Sequence, residues 1–188
     1  MKTLFINTCV REESRTRKLA EHYLAHMEGE IIEINPVKEG LYGLDGDMLK
    51  ERDSALAKKE FDHPVLAYAC QFAEADQIVI AAPYWDLSFP AALKNYIERI
   101  NCVGITFDYD EQGRPFGMCK AKKLVYITTS GGCIIDDAYG FGYIRALCEN
   151  FYGIPEVLYY KAEGLDLPGT DIEGTLQTVM RQMDAAWQ

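Results

Sequence analysis

Short apolar runs alternate along the chain with segments in which apolar side chains return every three or four positions. The first run is "KTLFIN" (2–7). From about Thr16 the spacing changes, and Ala20, Tyr23, Leu24 and Met27 share one face of a predicted helix. "EIIEINP" is a second strand, stopped by Pro36, and 37–46 is a glycine-bearing loop. "DMLKERDSALAKKEFD" and "HPVLAYACQFAEA" have helical spacing with a break near Pro64. In "DQIVIAAP" the unbroken run "IVIAA" predicts a strand buried on both faces. "SFPAALKNYIERI" is a helix with Ser88 as its expected N-cap and Pro90 in its first turn. Its apolar face is Leu93, Tyr96, Ile97 and Ile100. "GITFDYDEQGRPFG" alternates around a glycine turn and predicts a β-hairpin. A fourth strand, "KKLVYITTSGG", a helix from about Gly142, a fifth strand, "PEVLYYKAEG", and a closing helix follow. In that last helix Ile172, Leu176, Val179, Met180 and Met183 fall on one side.

Strands alternating with helices imply an α/β architecture: a doubly wound parallel sheet with right-handed crossovers. No repeat or linker interrupts the pattern, so residues 1–188 are expected to form a single domain. An open parallel sheet binds its ligand at the C-terminal ends of its strands. Three of those ends carry chemistry: 8–16, 83–88 and 129–133.

Composition narrows the ligand. The net charge of −10 argues against nucleic acid or an anionic membrane as partner, because positive charge supplies most of that attraction. No run approaches the roughly 20 apolar residues of a membrane span, and "TLFI" is read as a buried strand, not a signal peptide. Cys9, Cys70, Cys102, Cys119, Cys133 and Cys148 show no C-x-x-C spacing. They predict reduced thiols and a cytoplasmic location, not a metal centre. His22, His26 and His63 are expected at the surface, not as ligands.

The first loaded loop, "TCVREESRTRKLAE", puts hydroxyls and arginines ahead of a helix N-terminus, an arrangement that binds phosphate. Two chemistries compete for it. Cys9 and Arg15 stand at the C-x5-R spacing of a phosphatase loop, with Asp136 or Asp137 as conceivable acids. The intervening Val10-Arg11-Glu12-Glu13-Ser14 lacks glycine and carries two acids, a poor phosphate ring. A cofactor phosphate needs only Thr8, Ser14, Thr16, one or both arginines and the helix N-terminus. In the second loop Tyr84 and Trp85 can stack on a flat ring, or serve as core. In the third, the glycines of "TTSGG" allow a ligand to approach the backbone, or simply turn the chain. No G-x-G-x-x-G appears, which disfavours a dinucleotide-type Rossmann site.

The stretch "APYWDLSFPAALKNYIERI" (81–99) resembles the signature of the FMN-dependent NAD(P)H:quinone oxidoreductases and azoreductases of the flavodoxin-like superfamily. "GITFDYDEQGRPFGMCKAKKLVYITTSGG" resembles that family's next segment, and "AEGLD" its C-terminal end. The resemblance implies a flavodoxin-like sheet of order 2-1-3-4-5 with an inserted hairpin. It implies FMN with its phosphate at Thr8, Ser14, Thr16 and Arg15. The isoalloxazine would rest on Pro83, Tyr84, Trp85, Asp86 and Leu87, with Ser130, Gly131 and Gly132 covering the other edge. It implies a homodimer, with NADH or NADPH giving a hydride through the flavin to a quinone or azo compound in two steps. The cofactor carries such chemistry, so no catalytic side chain is assigned. Two positions depart from the family pattern: Asp86 stands where Asn is common, and Cys133-Ile134-Ile135-Asp136 where many members carry a His. Tyr139 or Tyr143 could supply a hydroxyl instead. A flavodoxin-type electron carrier is the alternative from another class, and the hairpin is an element such a carrier does not need.

Overall fold

The computed structural model describes residues 1–187. Its seven strands are β1 (Lys2–Asn7), β2 (Glu30–Ile34), β3 (Gln77–Ala81), β4 (Phe107–Tyr109), β5 (Pro115–Gly117), β6 (Lys123–Thr129) and β7 (Glu156–Ala162). The helices are α1 (Arg15–Leu24), α2 (Gly46–Lys58), α3 (Ala67–Glu74), α4 (Ala91–Ile100), α5 (Phe141–Leu147) and α6 (Ile172–Ala185). Five strands pair in parallel in the order β2-β1-β3-β6-β7, while β4 and β5 form a separate antiparallel hairpin. Leaving out the hairpin, this is the 2-1-3-4-5 order of a flavodoxin-like sheet.

The two faces follow from the period of two along a strand. Leu4 and Ile6, Ile78 and Ile80, and Leu124 and Tyr126 point into one core, under Phe72, the α4 face and Ile144. Their neighbours Phe5, Val79, Ala81, Val125 and Ile127 point into the other, under α1 and α6. Every residue of β3 is buried, as its unbroken apolar run predicts. On α4, Leu93, Tyr96, Ile97 and Ile100 are all at most 3% exposed. Full burial of such a side chain is favourable by roughly 1.5–3 kcal/mol each, which holds this face of α4 against the sheet.

Several boundaries differ from the sequence expectation. Ser88 does not cap α4: its hydroxyl donates to the Tyr139 carbonyl at 2.6 Å, and Pro90 occupies the cap position without a side-chain bond. The helix α5 starts one residue before Gly142 and runs into a single wide turn over Cys148–Tyr152. Met27 lies beyond the end of α1 but still packs against the second core. The hairpin docks on the wide turn. Phe107 stacks on Phe151 with centroids 4.4 Å apart, and a Cβ on Gly117 would strike the backbone at Tyr152 and Gly153.

Candidate functional site

The reversal in strand order between β1 and β3 opens a crevice at the C-terminal edge of the sheet. Its first wall is the β1–α1 loop. Ser14 caps α1, its Oγ accepting from the Arg17 amide at 3.3 Å, and the Lys18 amide donates to the Ser14 carbonyl. The first amides of a helix have no intrahelical acceptor. Those of Arg15 and Thr16 therefore remain as donors, with the positive end of the helix dipole behind them. Thr16 is 1% exposed, and its hydroxyl shares a 2.6 Å hydrogen bond with that of Thr129 at the end of β6. That bond ties the helix start to the neighbouring loop.

The second wall is Pro83-Tyr84-Trp85. The Tyr84 amide donates to the Thr129 carbonyl, extending the sheet by one link, and its hydroxyl reaches the Asp136 carbonyl at 3.4 Å. The chain then reverses. Trp85 and Ser88 exchange both backbone hydrogen bonds, at 3.0 and 2.8 Å, around Asp86 (φ 50°) and Leu87 (φ 67°). Positive φ at both central residues makes this a type I′ turn, which favours Asn or Asp first and Gly second. The turn's own pairs use the amides of Trp85 and Ser88, so those of Asp86 and Leu87 stay outside them.

The third wall is Ser130-Gly131, clamped by a segment after β7. The amides of Leu165 and Asp166 donate to the carbonyls of Ser130 and Gly131, and that of Gly164 to Gly132. A Cβ on Gly131 would come within 2.2 Å of the Asp166 carboxylate, so a side chain there would push that carboxylate aside. Asp166 then faces Arg15 across the mouth, where Nη1 donates to Oδ1 at 2.7 Å. The remaining donors of the guanidinium fork are left for a further anion.

These walls enclose about 310 Å³, bounded by Ser14, Arg15, Thr16, Pro83, Tyr84, Trp85, Ser130 and Gly131. The sequence pointed to all of these. Val10, Arg11, Glu13, Thr129 and Asp166 also line the cleft; of these, Asp166 was detectable only as part of the family-like "AEGLD". The remaining expected residues lie elsewhere. Thr8 is fully buried and its hydroxyl donates to the Ala81 carbonyl at 3.0 Å, so it joins β1 to β3 beneath the cleft. Asp86 and Leu87 line an adjoining open hollow with Tyr139 and Tyr143. Gly132 is exposed, with nothing within 4 Å of its Cβ direction.

Cys9 does not line the cleft. It is 7% exposed, and burial pushes its thiol above the ordinary cysteine range. A phosphatase nucleophile needs the opposite, a thiolate at neutral pH. Asp137, one of the conceivable acids, is taken by the Tyr159 hydroxyl at 2.8 Å. The C-x5-R spacing is thus a coincidence of sequence.

The Flavodoxin_2 family model, described as having a flavodoxin-like fold, matches residues 1–186. The FMN-dependent NADH:quinone oxidoreductase of Coprothermobacter proteolyticus is 38% identical over 195 aligned residues, covering 97% of this chain and 96% of that protein. The FMN-dependent NADH:quinone oxidoreductase 2 of Clostridium acetobutylicum is 38% identical over 193, covering 96% and 95%. Among solved structures, azoreductase from Bacillus anthracis str. Sterne superposes with a TM-score of 0.84 at 26% identity, over 99% of this chain and 98% of that one. Sheet order, cleft position and sequence agree, and the chain belongs to the Flavodoxin_2 family of flavodoxin-like proteins.

Proposed function

We propose that this chain is an FMN-dependent NADH oxidoreductase that reduces quinones or azo compounds by two electrons. The observation that carries the reading is one cleft with an anion-binding helix start at one end and a Pro-Tyr-Trp shelf at the other. The names of its quinone-reducing and azo-reducing relatives support the substrate class and favour NADH over NADPH. The residues present fit FMN. The hydroxyl of Ser14, the amides of Arg15 and Thr16 and the Arg15 guanidinium would hold its phosphate. Pro83, Tyr84 and Trp85 would support the ring, and Gly131 lets backbone approach it closely. The free amides of Asp86 and Leu87 would meet the ring's polar edge. When bound, FMN supplies the hydride relay between donor and acceptor.

The chain's own residues position and shield. Tyr84 is held by its links to Thr129 and Asp136, so the shelf is preorganised. Phe89 and Tyr143, with ring centroids 5.8 Å apart, form the floor of the adjoining hollow, where an aromatic acceptor would lie. Trp85, Leu87 and Tyr139 are 40%, 48% and 60% exposed beside the cleft. Apolar exposure of this kind supports a homodimer in which a second copy completes the site. The acidic composition and unpaired cysteines support a cytoplasmic setting without nucleic acid or membrane partners. Among the described residues no helix is long and apolar enough to cross a membrane.

The test is the visible spectrum of the purified chain after adding FMN and desalting. Flavin bands near ~375 and ~450 nm that NADH bleaches are expected, with steady quinone reduction by the protein alone. Arg15→Ala should weaken FMN retention about tenfold or more, from loss of a charge-assisted contact of roughly 1.5–3 kcal/mol. A colourless protein that cannot be titrated with FMN overturns the proposal. Flavin binding without NADH-driven turnover would identify an electron carrier instead.

A further inference from the structure

At the far end of α1 from the cleft, His22 and His26 stand four residues apart and therefore on one face of the chain as it leaves the helix. Asp184, from the last turn of α6, lies against both. Its Oδ1 is 2.7 Å from Nε2 of His22 and 3.3 Å from Nε2 of His26. The second nitrogen of His26, Nδ1, is 3.0 Å from the His22 carbonyl. A carbonyl only accepts, so Nδ1 carries the hydrogen, and in the neutral ring Nε2 is left with a lone pair. That lone pair faces a carboxylate oxygen, and two acceptors meet stably only with a positive centre between them.

We propose that His22, His26 and Asp184 bind a zinc-class divalent cation that staples the end of α1 to the end of α6. Two imidazoles and a carboxylate form a donor set suited to zinc and not to magnesium. Donor atoms of a tetrahedral zinc site lie about 3.3 Å apart, from bond lengths near 2.0–2.1 Å. The three donors here already lie within 4.8 Å of one another, so side-chain adjustment suffices. The bond from Nδ1 of His26 to a backbone carbonyl is the outer contact that orients a metal-binding histidine. All three side chains are partly open to solvent, which leaves an entry path and room for a water as fourth ligand. The His26 ring also stacks on Trp187, centroids 6.0 Å apart and planes 10° from parallel, which gives the site an optical reporter.

The experiment is a Zn2+ titration of the full chain against a chromophoric chelator, in a Cys133→Ser background that removes the exposed thiol. One Zn2+ per chain is expected, with a thermal midpoint that rises with Zn2+ and not with Mg2+. His22→Ala and His26→Ala should each weaken Zn2+ binding about tenfold or more and abolish the thermal shift. Cu2+ should quench Trp187 fluorescence over the same range of occupancy. Circular dichroism without metal would show that both variants fold. Absence of saturable Zn2+ binding, or a site that survives both substitutions, overturns the proposal.

Discussion

Two buried tyrosines show how one hydroxyl changes sign with its partner. Tyr152 is 2% exposed and donates to Asn101 Oδ1 at 2.7 Å, joining the wide turn after α5 to the end of α4. Tyr96 is fully buried on the apolar face of α4, and its hydroxyl oxygen has no hydrogen-bond partner among the described residues. Burying an unpartnered hydroxyl costs about 1–3 kcal/mol. Tyr96→Phe should therefore be neutral or stabilise the protein by up to about 1 kcal/mol. Tyr152→Phe should destabilise it by a similar amount, since Asn101 loses its partner. Urea unfolding of the two variants measures both. Helical spacing put the Tyr96 ring indoors, but nothing in the spacing says which hydroxyl finds an acceptor. That depends on Asn101, which is distant in the sequence.

Among the elements, the reversal at Trp85–Ser88 is the most strained. Asp is one of the few residues besides glycine that visit positive φ, which suits Asp86 at φ 50°. Leu87 has no such excuse at φ 67°, and its side chain is 48% exposed. A non-glycine residue in this region costs about 1–2 kcal/mol, and such strain concentrates at functional sites. Leu87→Gly should raise the unfolding free energy by about 1 kcal/mol, read by thermal or urea melts. It should also loosen the amide pair that the turn presents. A result in which Leu87→Gly destabilises the protein would show that the side chain packs more than its exposure suggests. The sequence "WDLS" carries no hairpin signal, because the favoured second residue, glycine, is absent. The turn is closed by the pairing of Trp85 with Ser88, and Ser88 is in turn drawn away from its cap role by Tyr139.

Across the whole molecule, one carboxylate gathers two donors at the N-terminal edge of the sheet. Asp76 accepts from Lys120 Nζ at 2.5 Å and from the Lys2 amide at 2.7 Å. These bonds, the lysine's first, hold its carboxyl below the usual carboxylate range. A group depressed in the folded state binds its proton more readily once the chain unfolds. Its stabilisation is complete above the unfolded value near about 4. It is lost as the pH falls through the depressed folded value. Asp76→Asn should thus leave a shallower fall in thermal midpoint on the acid side of about pH 4, with a lower midpoint at neutral pH. Melts at several pH values in both proteins measure it. Unchanged acid sensitivity would show that other carboxylates dominate.

The alternation of runs, the period within each and the residues at three strand ends were enough to predict a parallel α/β sheet and the edge at which its cleft lies. Those properties are local: a strand's period, a helix face and a cap depend on neighbours within a few positions. The second loop was legible for the same reason, because Pro83, Tyr84 and Trp85 sit together in the sequence and on the cleft wall. What tertiary structure alone decided were the pairings across the chain. Arg15 meets Asp166 over 151 residues and His22 meets Asp184 over 162. Thr8 and Cys9 sit in the same polar loop as Ser14, yet the sheet draws both inward, one to bond Ala81 and the other into the second core. Direction of a side chain at a strand end, and the partner that meets it from a distant loop, are set by how the layers pack, and no local pattern encodes them.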